Sequence, residues 1–466
     1  MRARLDLALQ RARRSGRATL ATITYALGAS IDPSAVVCAS RRPGEHWFCF
    51  EQPDRSGAAV AGVGQVACLE DSGPERFSTI ADRWRSLSAT AVADSPGEQV
   101  GGGPIAVGGF AFAPGGGASP AWRGFEPASL VVPEVTLARE QRDGQTRVRL
   151  TLAALVQPDD TAEEALGTLQ RRLAELSDTP LPLLDPAPTG RFEVSSGMPP
   201  EHFEAAVARA TDTIRAGELQ KIVLAREVQV HAGGGAPIYD PAAVFGVLRE
   251  AFPSCFVFCV GRGDATLVAA SPELLVRREG QRVSTIALAG STRRSADPAV
   301  DAHLGEQLMR DESYREEHAI VARRIERTLN RYAIWVATPP EPVLVRMANI
   351  QHLATPIRAQ LSAPVEAIEL AGLMHPTPAV GGEPSPLALS LIPALEGLDR
   401  GWYTGPVGWT DAAGDGEFCV ALRCALLRGN VARCYAGNGI VRGSRPAAEL
   451  AETEIKLQAL LPLLTS

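Results

Sequence analysis

Several short stretches hold charged residues where their neighbours predict burial. In "LQKIVLAREVQV", Lys221 stands near the start of a run whose Ile222, Val223, Leu224, Val228 and Val230 predict a β-strand. Successive strand side chains alternate between faces, so Lys221, Val223 and Ala225 share one side and Ile222, Leu224 and Arg226 the other. Lys221 is then either a solvated edge charge or an amine pointed inward for chemistry. "ASPELL" puts Glu273 in a strand-like run after a proline, and "FCVALRCALL" puts Arg423 in the middle of an apolar strand. A charge in such a place is costly unless it is paired or given a ligand. The last helical pattern sets Glu449, Glu452 and Lys456 at i, i+3 and i+7 on one face, with Leu457, Leu460 and Leu461 on another. Taken alone, that is an ordinary solvated face carrying a Glu–Lys pair. In "REEH", Glu316 and Glu317 start a helix, where carboxylates meet the positive end of its dipole.

The elements that must position these residues belong to a chain of 466 residues, 45% of them hydrophobic, enough to bury a large core. A net charge of -7 argues against nucleic-acid binding, which needs a basic face to neutralise phosphates. The one basic cluster, "MRARLDLALQRARRSG", interrupts every apolar run with arginine, so a solvated helix is expected there and not a signal peptide. No uninterrupted apolar run reaches the length of a membrane span. The eight cysteines lack paired C-x-x-C spacing and several sit in strand-like runs such as "SCFVFCV", which disfavours a zinc site or a disulfide framework. A soluble cytoplasmic protein is expected, with no membrane or nucleic-acid partner and no obligatory protein partner, as a monomer.

Residues 1–195 alternate short apolar runs with Gly, Pro and Ser breaks, a strand-rich half that also carries the helix "TAEEALGTLQRRLAEL". The glycine-dense "GGGPIAVGGFAFAPGGG" lacks the G-K-[ST] ending of a phosphate loop and reads as strand and turn. "LLDPAPTGRFEVSSGMPP" has linker composition. Residues 196–466 then open on a helix whose Phe203, Val207, Ala210 and Ile214 form an apolar stripe, and continue as mixed strands and helices. The class is α+β, with mostly antiparallel sheets flanked by helices.

In order along the chain stand "LQKIVLAR", "SPELLV", "IALAGSTRR", "EEHAIV", "NIQHLATPI", "HPTPAVGGEP", "RGWYTGPVGW", "GDGEFCVALRCALL" and "YAGNGIVRGSRPAAELAETEIK". This series closely resembles the chorismate-utilising enzymes: isochorismate synthases, salicylate synthases, anthranilate synthase large subunits and aminodeoxychorismate synthases. The match covers about residues 199–464. It implies a single large α+β domain, so that the linker-like stretch is no true boundary and residues 1–195 join the same fold as the chorismate-binding region 196–466. Aminodeoxychorismate synthases carry a ring-attacking lysine where Ala289 stands, and ammonia-using anthranilate synthases generally lack the lysine found here as Lys221. That combination points to water as the nucleophile. "HPTPAVGG" with "RGWYTGPVGW" looks like isochorismate synthase.

The resemblance implies the roles. Lys221 is the general base that activates water for C2 of chorismate, and Glu273 the general acid that protonates the departing C4 oxygen. An amine base and a carboxylic acid at neutral pH are each in the less usual protonation state, which desolvation favours. Glu317 and Glu452 match Mg²⁺ ligands, with Glu449 one turn earlier. Arg423 and Tyr403 match positions that hold a substrate carboxylate, Lys456 adds a cation, and Gly290, Ser291, Gly437 and Gly439 bring backbone N–H groups close to an anion. Two positions depart from the family pattern: Asn438 replaces an alanine, and Tyr314 replaces an acidic residue, which loosens the outer metal shell. His318, His352 and His375 are expected to be architectural or one step removed from substrate. The implied activity is a Mg²⁺-dependent isomerisation of chorismate to isochorismate, for menaquinone or catechol siderophore biosynthesis. Its rivals are a salicylate synthase, which goes on to eliminate pyruvate, and a non-catalytic chorismate-binding protein.

Overall fold

The architecture comes from a computed structural model that describes residues 1–55, 57–94, 102–181, 186, 190–233 and 239–465. Two large sheets, of 12 and 10 strands among the described residues, face each other, and their strand pairs are antiparallel. Strands from early and late in the chain interleave in both. In the larger sheet Gly44–Gln52 pairs with Phe256–Gly263, and in the smaller Ile105–Phe110 pairs with Pro406–Asp411. Alternating inward residues make the layer between them: Phe48, Phe50, Phe256 and Phe258 from one sheet meet Val107, Val407, Trp409 and Cys419 from the other.

Helices cover the outer faces. Pro241–Ala251 lays Val244, Phe245 and Leu248 on the larger sheet, while Arg76–Ala89 and Glu312–Leu329 lay Phe77, Ile80, Trp84, Val321 and Ile325 on the smaller. The helix Pro200–Arg215 buries Phe203, Val207, Ala210 and Ile214 together with Ile222 and Leu224, the stripe that its spacing predicts. The arginine-rich first segment is a helix, Arg2–Ser15, that docks Leu5, Ala8, Leu9 and Ala12 and leaves most of its arginines at the surface. Of the linker-like stretch, 183–185 and 187–189 lie outside the described residues, as does 101 of the glycine-dense stretch. Phe192–Ser196 is a strand paired with Val228–Ala232. The cysteines are all unpaired. No helix among the described residues is long and apolar enough to cross a membrane.

Twice the chain leaves one sheet for the other at adjoining points. Ala265–Ser271 of the larger sheet passes to Leu274–Glu279 of the smaller through Pro272 and Glu273. Gly416–Val420 of the smaller passes to Cys424–Arg428 of the larger through Ala421, Leu422 and Arg423. The crossings hold each other: the Val420 N–H donates to Glu273 O at 3.0 Å, and the Ala270 N–H to Arg423 O at 3.2 Å. The expectation that Glu273 and Arg423 lie inside strands is therefore corrected. Pro272 cannot donate to a ladder, and Arg423 has φ 46°, a left-handed conformation that no regular strand contains. A second correction concerns "REEH". Its helix begins at Glu312, capped by the Asp311 carboxylate accepting from the Ser313 and Tyr314 N–H groups, so Glu317 sits beyond the first turn on a buried face.

Candidate active site

A cavity of about 330 Å³ opens where the sheet crossings, the strand Lys221–Ala232 and the helices Glu312–Leu329 and Pro446–Leu457 meet. Lys221, Glu273, Gly290, Ser291, Glu317, Tyr403, Arg423, Gly437, Gly439, Glu449, Glu452 and Lys456 all line it. The alternation read in the strand holds: Ile222 and Leu224 go to the helix-covered core, and Lys221 and Val223 go to the cavity. Lys221 is 1% exposed, which removes the edge-charge alternative. Its Nζ meets Glu317 Oε1 at 2.9 Å.

Glu273 is buried beside this amine, and among the described residues no side chain hydrogen-bonds its carboxyl. Burial pushes it up to about 8, against the opposing pull of the Lys221 charge. At neutral pH it holds a proton. Arg423 is also buried, and no carboxylate among the described residues pairs with it. Its Nη2 lies 2.7 Å from His352 Nε2, and its Nη1 donates to Met347 Sδ at 3.1 Å. Burial and the Arg423 charge hold His352 well below the usual histidine range, so the imidazole is neutral. Its Nε2 must accept from the guanidinium, which leaves Nδ1–H to donate to Gly290 O at 3.3 Å.

The helix Pro446–Leu457 presents Glu449, Glu452 and Lys456 to the cavity from one face, as their spacing predicts. Lys456 Nζ bridges Glu452 Oε1 at 2.9 Å, Gly437 O at 2.9 Å and Asn438 Oδ1 at 2.7 Å. Glu452 also accepts from Ser291 Oγ at 2.5 Å, and Glu449 Oε2 from Asn438 Nδ2 at 3.0 Å. Burial, reinforced by the neighbouring Glu452 charge, raises Glu449 to about 7. Tyr314, pushed up to about 12 by burial and by these carboxylates, lines the same wall.

Two glycines are explained by close approach. Gly290 sits at a break in strand register with φ +76°, a conformation that L side chains rarely adopt. A Cβ at Gly439 would lie 2.2 Å from Glu317 Oε1 and 2.6 Å from Lys221 Cε, so this glycine makes room for the ion pair.

The comparisons with known proteins give the family. Residues 7–465 match the family described as chorismate binding enzyme. The chain belongs to that family. It is 36% identical to the salicylate biosynthesis isochorismate synthase of Pseudomonas aeruginosa, over 90% of this chain and 84% of that one. It is 32% identical to the isochorismate synthase MenF of Bacillus subtilis, over 90% and 87%. Among solved structures it resembles MenF, the menaquinone-specific isochorismate synthase of Escherichia coli, with TM-score 0.79 and 26% identity over 99% of both chains. Anthranilate synthase component I of Streptococcus pneumoniae shares the fold, with TM-score 0.66 and 20% identity over 94% and 92%.

His352, expected to be architectural or one step removed from substrate, lies opposite Ser291 in the strand pairing, lines the cavity and holds Arg423. One pair was passed over by motif reading. Glu396 and Arg400 form a buried ion pair behind the Lys221 strand; their i, i+4 spacing looks like any surface pair, and only the flanking apolar residues hinted otherwise. His318 and His375 do not line the cavity: the first contacts Thr355 Oγ1 at 2.7 Å, the second Phe112 O at 3.0 Å.

The oxygen donors suit a hard cation, and the Glu452 repulsion that adds to burial in raising Glu449 is what such a cation relieves. Each carboxylate is meanwhile matched to a protein donor: Glu317 to Lys221, Glu452 to Ser291 and Lys456, Glu449 to Asn438. Among the described residues they are not gathered into a closed metal cage. A cation that keeps several waters fits this arrangement better than one needing full protein coordination.

Proposed function

We propose that this chain is an isochorismate synthase, converting chorismate to isochorismate by adding water at C2 and releasing the C4 hydroxyl, and so feeding menaquinone or siderophore biosynthesis. One observation carries the reading. Lys221 and a proton-bearing Glu273 face one cavity, at a place where Ala289, also in its wall, offers no competing amine.

Lys221, as a free amine, takes a proton from water as the oxygen adds to C2. Glu273 gives its proton to the C4 oxygen as the carbon–oxygen bond breaks. One water enters and one leaves, and proton return through solvent resets both groups. The 2.9 Å contact with Glu317 fixes where the Lys221 Nζ stands. Arg423, steadied by His352, grips a substrate carboxylate, with Tyr403, Lys456 and the backbone at Gly290, Ser291, Gly437 and Gly439 around it. Glu317, Glu449 and Glu452 would hold Mg²⁺, which when bound supplies positive charge against the repulsion between these carboxylates and the ring carboxylate.

The test is turnover of chorismate by purified protein with Mg²⁺, coupled to pyruvate detection. Isochorismate without pyruvate is expected; stoichiometric pyruvate without a partner lyase would make the protein a salicylate synthase, and absence of turnover a non-catalytic binder. Glu452→Ala should weaken metal dependence and chorismate affinity together, and an unchanged metal titration would remove Glu452 from the ligand set.

A further inference from the structure

The strand that carries Lys221 lacks a neighbour along part of one edge. On its inner side it pairs continuously with Val431–Ile440, from Ile222 to His231. On the other side it pairs with Gly382–Glu383 only at Lys221 and Ile222, and with Phe192–Ser196 only from Val228 onward. Between these the backbone reaches the edge only at its two ends, where the Val223 N–H donates to Gly381 O at 2.8 Å and Glu227 O accepts from the Gly197 N–H at 3.1 Å; among the described residues no strand meets Leu224–Arg226. Exposed ladder groups in a buried place must find partners.

Two side chains supply them. Glu396 Oε1 accepts the Ala225 N–H at 2.7 Å, and Arg400 Nη2 donates to Val223 O at 2.9 Å. The same guanidinium donates through Nε to Glu396 Oε2 at 2.9 Å, and through Nη1 to Val380 O at 2.8 Å and Thr404 Oγ1 at 3.3 Å. It also lies 4.2 Å from the centre of the Phe112 ring. Glu396 is 4% and Arg400 3% exposed, and neither lines the catalytic cavity. Every segment they tie does line it: Val223 on the lysine strand, Val380 in "HPTPAVGG", and Thr404 next to Tyr403. Thr404 has φ 63°, a left-handed backbone that needs outside support in a β-branched residue.

We infer that Glu396 and Arg400 are a positioning pair that stands in for a missing strand and sets the Lys221 strand against the Val380 and Tyr403–Thr404 walls. The inference rests on the proposed isochorismate synthase activity. A lysine could not replace the arginine, because one ammonium cannot hold Val223 O, Val380 O, Thr404 Oγ1 and Glu396 in the same planar arrangement.

The test uses full-length Arg400→Lys and the double variant Glu396→Gln/Arg400→Gln, which removes both charges so that neither is left buried alone. Steady-state kinetics with chorismate and Mg²⁺ are combined with hydrogen exchange of the segment 222–227. Both variants are expected to lose tenfold or more in kcat with a smaller rise in KM, because Arg423 and Lys456 lie outside the tied segments although Tyr403, Gly437 and Gly439 adjoin them. Exchange of the Ala225 amide should quicken in the double variant while the strand Phe256–Gly263 keeps its protection. A variant that unfolds loses protection throughout, and Arg400→Lys then decides alone. Folded variants with kcat within twofold of the wild type, or with a loss confined to KM, would overturn the inference. If the wild type itself does not turn over chorismate, the proposed function has failed, and the exchange result alone then judges the tie.

Discussion

Among the described residues, two of the clefts treat their charges in opposite ways. The cleft at one end of the layer between the sheets is the larger, about 560 Å³. It is lined by Arg55, Arg277 and Arg278 with Glu279, Asp415 and Glu417, and each of these arginines is paired: Arg55 with Glu279 and Glu417, Arg277 with Glu417, Arg278 with Asp415. The proposed catalytic cavity, at about 330 Å³, keeps Arg423 without a carboxylate and Glu273 without a hydrogen-bonded side chain among the described residues, both almost fully buried. Size does not mark the site. A buried charge left uncompensated is expensive, and it persists where a ligand or a proton transfer completes it.

The contrast breaks most sharply at Lys221. Lys221→Gln should lower kcat by about 10²–10⁴-fold, the usual range for a general base, and leave the fold and Mg²⁺ binding intact; turnover at the wild-type rate would remove Lys221 from its role. Glu273→Gln comes next, with a loss of about 10²-fold or more. Glu273 is also the source of a pH limit. Its carboxyl is raised to about 8, so the donor is protonated below that pH and lost above it, and kcat should fall as pH rises through about 8. The same sign applies to stability: the contribution is present below the ordinary carboxyl range and lost as pH rises through about 8. Glu273→Gln should therefore unfold at a higher temperature than the wild type at pH 9, and a lower one would contradict the burial argument.

Arg423→Met sharpens the anion side. Loss of a charge-assisted grip of about 1.5–3 kcal/mol should raise KM by roughly 10–100-fold with a smaller change in kcat. The smallest effect belongs to the paired cleft. Arg277→Ala should leave kcat/KM within twofold and lower the melting temperature by one to a few degrees, since it breaks the pair with the nearly buried Glu417. A kinetic effect comparable to that of Arg423→Met would erase the distinction between the two clefts.

What was legible in the chain follows from which physical signals are local. The two faces of the Lys221 strand and the Glu449–Glu452–Lys456 face of the last helix depend on periods of 2 and 3.6, and the cavity receives them as read. Glu273 and Arg423 were marked by apolar surroundings, but a chain passing between two facing sheets is as apolar as a strand inside one. Only the positive φ of Arg423 and the mutual bonds of the crossings separate the cases. Glu396 and Arg400 were illegible for a different reason. Their work is to fill a gap in a ladder, and a gap exists only once every strand has its place.

The central claim is that Lys221 directs a solvent water to C2 while Glu273 releases the C4 oxygen. The direct measurement is isotopic: incubate the enzyme with chorismate and Mg²⁺ in ¹⁸O-enriched water, stop at low conversion, and locate the label in the product. The account predicts isochorismate carrying one solvent oxygen at C2, with no pyruvate and with formation slowed about 10²-fold or more in Lys221→Gln. Isochorismate whose C2 oxygen is unlabelled would contradict it.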